Sequence, residues 1–254
     1  MHRRWFDKHL PGRGVAYRNR SDELHAIAIA GPNARDLLSR ITRDDVSAAA
    51  FKFRDIRRAT VATVPAILAR ISFSGELGYE IYCAPQYQMR LFEAIEEAGH
   101  DLGLALYGNR ALMSLRLEKG WGAWTLEFRP DFTAAESGLD AFIAFAKEAD
   151  FIGKAAALAE REAGPVKKLV TLVMETEDID VSFDEAIFHG GKCVGYVTSG
   201  GFAHHIGRSI ALGYVPSELA RDNEPFEIEL LGEMKPARLA AAPLYDPNGD
   251  RMRG

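Results

Sequence analysis

The sequence predicts an α+β protein in two parts, with strands and helices interleaved over residues 1–163 and a small closed β-barrel over residues 164–254. Three observations predict it. Up to about residue 160, apolar residues switch between strand-like alternation and helical spacing. Around Ala163-Gly164-Pro165 the helical periodicity stops. Beyond it lie six short strand-like runs, residues 168–174, 186–189, 192–198, 209–215, 226–231 and 237–241, parted by turn residues. That spacing suits a closed all-β barrel.

Taken in order, residues 24–30 (L-H-A-I-A-I-A) form a compact apolar strand, punctuated by Gly31-Pro32. A helix follows over residues 31–42, with Pro32 at its first position and Ala34, Leu37, Leu38 and Ile41 on its apolar face. Residues 43–58 carry mixed charge and lead to an apolar run, residues 59–69, too short to span a bilayer. Residues 70–83, R-I-S-F-S-G-E-L-G-Y-E-I-Y-C, are expected as a β-hairpin. Ile67, Ala69, Ile71 and Phe73 would share one face of its first strand, and Gly75 and Gly78 would frame its loop. Glu80, flanked by Tyr79 and Tyr82, is costly to bury unless something donates hydrogen bonds to it. Spacing alone leaves a plain surface hairpin with a solvated glutamate as the alternative.

Pro85 opens a second helix carrying Met89, Phe92, Ile95 and Ala98, closed by Gly99. A third follows Gly108-Asn109, A-L-M-S-L-R-L-E, closed by Gly120. Arg110 sits in its first turn, where the helix dipole disfavours a cation. Such an arginine has either an anionic partner or open solvent. Trp121, Trp124 and Phe128 fill the next loop, where packing is the expected role. In the barrel, Gly190-Gly191 and Gly232-Glu233 are expected hairpin turns.

Composition narrows the function. Hydrophobic residues at 47% and charged residues at 26% describe a globular chain, and a net charge of −5 argues against gripping nucleic acid. The start, M-H-R-R-W-F-D-K-H, lacks the apolar core of a signal peptide. Cys83 and Cys193 fit neither a disulfide framework nor a zinc site, so a soluble, cytoplasmic protein without membrane attachment is expected. The histidines show no metal-ligand spacing, and His204-His205 would point to opposite faces of a strand, so no metal is expected. Gly12-Arg13-Gly14 is not a dinucleotide fingerprint, no phosphate loop occurs, and Ser74 and Ser199 lie outside any nucleophile elbow.

Six strings then occur in order: S-F-S-G-E-L-G-Y-E-I-Y, G-N-R-A-L-M-S-L-R-L-E-K-G, D-F-I-G-K, V-G-Y-V-T-S-G-G, S-I-A-L-G-Y-V and L-Y-D-P. Together they resemble the aminomethyltransferase family, the glycine-cleavage T-protein and its relatives, and most of all the folate-binding region of dimethylglycine and sarcosine dehydrogenases. The resemblance implies a T-protein-like fold of partial, ferredoxin-like α/β lobes plus a six-stranded barrel. It implies tetrahydrofolate as cofactor and one-carbon (methyl or aminomethyl) transfer from an amine. A pterin presents an amino group and a ring N–H on one edge, which a carboxylate can accept in bidentate fashion. Glu80 matches that family position, while Glu76 is expected to hold the turn. Arg110 matches a family arginine close to the folate site. Phe73 stands where the family often has tyrosine, and Tyr79 and Trp124 are expected to pack near the ring or tail.

The family's catalytic aspartate, in a G-G-x-x-x-D context, has no match in this chain, so no catalytic residue is assigned. The resemblance therefore implies an N-terminally truncated folate-binding domain over residues 1–163 and its barrel over 164–254. A flavoprotein dehydrogenase or a separate N-terminal-half polypeptide would complete it, since no flavin or NAD motif occurs. A non-catalytic folate-binding or accessory module is the alternative reading, and a fragment with no ligand a third. The K-G-C-Y-x-G-Q-E signature of T-protein-like iron–sulfur assembly factors is absent, which disfavours that role.

Overall fold

The structure, a computed structural model, describes residues 2–10, 14–241 and 243–254. Gly12 and Arg13 of the excluded glycine motif lie outside the described residues. The chain divides into two compact units: Met1–Ser72 with Leu77–Leu104, and Phe73–Glu76 with Ala105–Gly254.

The first unit holds helix α1 (His2–His9), strand β1 (His25–Ala30), helix α2 (Ala34–Ile41), strands β2 (Ile56–Val61), β3 (Val64–Ala69) and β4 (Gly78–Cys83), and helix α3 (Gln88–Gly99). The strands form one antiparallel sheet in the order β1-β4-β3-β2. Alternate residues (Ile29; Val64, Leu68; Tyr79, Ile81) pack with Leu37 and Leu38 of α2 and Leu91 and Ile95 of α3 into one core. The helices thus cover one face of the sheet, and Glu80 lies on the other.

The structure corrects several local expectations. The apolar run 59–69 folds into a hairpin whose two turn residues, Ala62 and Thr63, are left-handed at φ 50° and 69°; no glycine marks it. The strand before the S-G-E loop ends at Ala69, not Phe73, because Arg70 turns inward. Its N–H donates to the Asp55 carbonyl at 2.9 Å, and its buried guanidinium donates to the Phe51 carbonyl at 2.5 Å. Helix α2 starts two residues after Pro32, with Asn33 at the cap position, since Gly31-Pro32 is used in a turn closed by Ala34 N–H on the Gly31 carbonyl. Ile95 is buried as expected, but Met89 is exposed and Leu91 and Ala94 are buried in its place. Gly99 is not the cap. A Cβ there would stand 2.9 Å from Leu37 Cδ1, so it permits close approach of the helices, and Gly103 at φ 75° ends the turn that follows.

The second unit holds α4 (Asn109–Glu118), α5 (Lys154–Ala163), strands β5 (Lys167–Met174), β6 (Ala186–His189), β7 (Lys192–Ala203), β8 (Arg208–Pro216), β9 (Pro225–Leu230) and β10 (Glu233–Ala240), and the short helix α6 (Asp250–Arg253). The six expected strands close into a barrel in the order β10-β5-β8-β7-β6-β9. Its core includes Leu172, Ile187, Val197, Ile228 and Leu230. Strand β7 runs five residues past the expected 198, because Gly200 and Gly201 still pair with Ala211 and Ile210. Gly190-Gly191 forms the expected hairpin turn, both residues left-handed. The other turn is Leu231-Gly232, one residue earlier than expected, with Leu230 paired to Glu233. His204 and His205 lie in the turn beyond β7 rather than in a strand. Among the described residues, no helix is long and apolar enough to cross a membrane.

Candidate functional site

Glu80 sits in the middle of β4, half-buried. Strand alternation sends Tyr79, Ile81 and Cys83 into the core and leaves Glu80 and Tyr82 together on the opposite face. Across the sheet Glu80 faces Ala28 of β1 and Ala69 of β3. Ala26, Ala28 and Ala30 are all exposed along β1. The Tyr82 hydroxyl donates to Glu80 Oε2. That bond, then burial, then the Glu80 charge push the Tyr82 phenol up to about 12, so it remains a donor at neutral pH. Glu80 Oε1 receives no hydrogen bond from the described residues. A half-buried carboxylate with one oxygen held and one open can accept a ligand's N–H donors.

Tyr79 leaves that face. It is fully buried, its ring stacked on Phe51 at 6.0 Å and 21°, and its hydroxyl accepts from Arg35 Nε at 3.2 Å.

In the second unit, residues from three of the six strings converge. Glu76, 9% exposed, accepts the hydroxyl of Tyr245 and lies 3.7 Å from Arg251 Nη1. Burial and then the Glu76 bond push the Tyr245 phenol up to about 12. The Tyr245 ring stacks on His205 at 4.2 Å. His205 in turn donates its backbone N–H to Glu118 Oε1 at 2.8 Å, and its Nδ1 lies 2.5 Å from Oε2. Lys119 donates to the Asp246 carbonyl at 2.5 Å and lies 3.3 Å from its carboxylate. Burial pushes the Asp246 carboxyl up, but the Arg251 N–H, the Lys119 ammonium and the Asp250 N–H outweigh it and hold it below the usual carboxylate range. The Lys119 stem covers Gly75, where an added Cβ would fall 2.3 Å from Lys119 Cγ, and Gly75 is left-handed at φ +87°. Glu76 is therefore engaged within the unit, by Tyr245 and beside Arg251.

A second buried set joins α4, the loop after it and β7. Arg116 Nη1 meets Glu127 Oε2 at 3.0 Å, and both side chains are at most 1% exposed. Arg116 also donates to the Trp121 carbonyl at 2.9 Å and to Ser199 Oγ at 2.6 Å. Glu127 further accepts from Thr198 Oγ1 at 2.7 Å, from Ser199 Oγ and from Ala123 N–H at 2.8 Å.

Arg110 is exposed at the start of α4 with no ion pair among the described residues. Phe73 is 36% exposed, and Trp124, 65% exposed, meets Phe128 edge-on at 5.7 Å. A cleft of about 360 Å³ in the second unit, bordered by Glu136, Asp140, Glu160, Arg161 and Lys168, touches none of the expected site residues. The sequence singled out neither Arg116–Glu127 nor the Tyr245, Asp246 and His205 contacts as a site. The paired residues are 11 apart for Arg116–Glu127 and 169 apart for Glu76–Tyr245, beyond any local spacing rule. For Arg116, Tyr245 and Asp246, membership in the ordered strings was the one signal.

A helix-backed antiparallel sheet followed by a closed six-stranded barrel defines a class: the T-protein-like proteins. Residues 1–147 match the family model described as the GCVT N-terminal domain, and residues 167–246 that of the glycine cleavage T-protein C-terminal barrel domain. The chain belongs to the glycine cleavage T-protein family. It is 37% identical to mitochondrial dimethylglycine dehydrogenase of Homo sapiens, over 98% of this chain and 29% of that protein. It is 32% identical to an aminomethyltransferase of Desulfitobacterium hafniense, over 96% of this chain and 66% of that one. The crystal structure of the glycine cleavage system aminomethyltransferase T from Bartonella henselae superposes with a TM-score of 0.77 at 25% identity, covering 88% of this chain and 60% of that one. The chain thus spans less than two thirds of the length of each of these relatives.

Proposed function

We propose that the chain binds a reduced folate and takes the folate side of a one-carbon transfer, with Glu80 as the residue that accepts the pterin edge. The observation that carries this is the Glu80 carboxylate itself. It lies on the sheet face away from the helices, Oε2 is held by Tyr82, and Oε1 has no bond from the described residues. A pterin offers an amino group and a ring N–H side by side, and a carboxylate held in plane accepts both. The names aminomethyltransferase and dimethylglycine dehydrogenase among the relatives support the one-carbon reading. They also support an amine-oxidising flavoprotein, fused or separate, as the functional partner. Arg110, Phe73 and Trp124 keep the roles implied by the resemblance as proposals, each tested by its own substitution. A division into a folate-binding part and a barrel near residue 164 belongs to the same proposal.

Titration with tetrahydrofolate, followed by tryptophan fluorescence, tests the reading. Saturable binding that weakens strongly in Glu80→Ala is the expected result. Binding that is absent, or indifferent to Glu80→Ala, overturns it.

A further inference from the structure

We propose that Tyr82 and the alanine row of β1 determine which ligand Glu80 accepts: a flat ring with paired N–H donors along one edge. This rests on the folate reading of Glu80 and names the residues that set its selectivity. The terminal torsion of a glutamate is broad, so a free carboxylate would sample many planes. The Tyr82 hydroxyl on Oε2 removes that freedom. It leaves both lone pairs of Oε1 and one of Oε2 for a ligand. A fork held in advance binds without the entropic cost of ordering it.

Tyr82 can do this over the whole physiological range, because its phenol is pushed up to about 12 and stays protonated. It is a positioning residue: it acts on the ligand through Glu80. The second element is space. On the β1 side Glu80 faces Ala28, with Ala26 and Ala30 next along the strand, all exposed. Cross-strand Cβ atoms stand about 5 Å apart, so only methyl groups rise beside the carboxylate. They form a shelf on which a ring can lie while its edge meets Glu80. On the other side Ala69 of β3 is buried, so the open side of the carboxylate is the β1 side.

The test compares calorimetric affinities for tetrahydrofolate and for an analogue lacking the 2-amino group. The parent chain is expected to prefer tetrahydrofolate by about tenfold or more, the worth of one charge-assisted hydrogen bond. Tyr82→Phe, with an unchanged melting temperature, is expected to shrink that preference by about threefold or more, since a loosely held carboxylate reads the edge less well. Ala28→Leu, at an exposed position, is expected to weaken both ligands about equally by crowding the shelf. A preference unchanged in Tyr82→Phe overturns the positioning role, and parent-like affinities in Ala28→Leu overturn the shelf. Glu80→Gln separates the two levels. If it too leaves affinity and preference untouched, the folate reading has failed; if it abolishes them while Tyr82→Phe does not, only the selectivity proposal has.

Discussion

Removing Glu127 should be among the most destabilising single substitutions the second unit can undergo. In Glu127→Leu, Arg116 keeps its charge at 1% exposure with only the Trp121 carbonyl and Ser199 Oγ as acceptors. Burial already draws the Arg116 guanidinium below its usual range, with Glu127 pushing it back up. Breaking a buried pair by deleting one partner costs roughly 3–5 kcal/mol. The half-buried Ala123 N–H loses its acceptor as well, which adds about 1 kcal/mol. The sum, roughly 4–6 kcal/mol, is a large share of the whole stability of an ordinary domain, about 5–15 kcal/mol. Arg116→Met should fall at the low end, because Glu127 retains the Ala123, Thr198 and Ser199 donors. The double variant Arg116→Met/Glu127→Leu buries no charge and should be more stable than Glu127→Leu alone. Urea unfolding followed by tryptophan fluorescence and far-ultraviolet dichroism measures all three. A Glu127→Leu cost below about 1 kcal/mol, or strict additivity in the double variant, would refute the reasoning.

Two further outcomes follow from the S-G-E loop and its partners. Gly75→Ala should destabilise by roughly 1–3 kcal/mol, since φ is +87° and the new methyl meets the Lys119 stem; an unchanged melting temperature would contradict this. Asp246 has its folded pKa depressed, so its contribution to stability is complete above the unfolded value of about 3.9 and is lost as pH falls below it. Asp246→Asn should therefore flatten the acid limb of the stability profile below about pH 4, and a limb of unchanged steepness would count against the assignment.

The barrel was almost fully legible because its strand-like apolar runs are parted by turn residues such as Gly190-Gly191. Errors came where backbone geometry departed from residue preference. Ala62-Thr63 makes a left-handed hairpin turn with no glycine to announce it, and Leu231 takes a left-handed position normally left to glycine. The strand end at Ala69 depends on burying Arg70, which composition would have placed outside. In the candidate site, Glu80 was legible because strand alternation sets its face, and the same alternation removed Tyr79 to the core. Glu76–Tyr245 joins residues that only the folded chain brings together, and Arg116–Glu127, 11 apart, follows neither helix nor strand spacing because Glu127 lies in the loop beyond α4.

The most direct test of the central claim is the tetrahydrofolate affinity of Glu80→Gln beside the parent chain. Glutamine is nearly isosteric but turns one acceptor into a donor facing a donor, and should lose roughly 2–4 kcal/mol, about 30- to 1,000-fold in Kd. Such a loss, with an unchanged melting temperature, is the predicted result. Equal affinity in the two proteins would contradict Glu80 as the pterin acceptor.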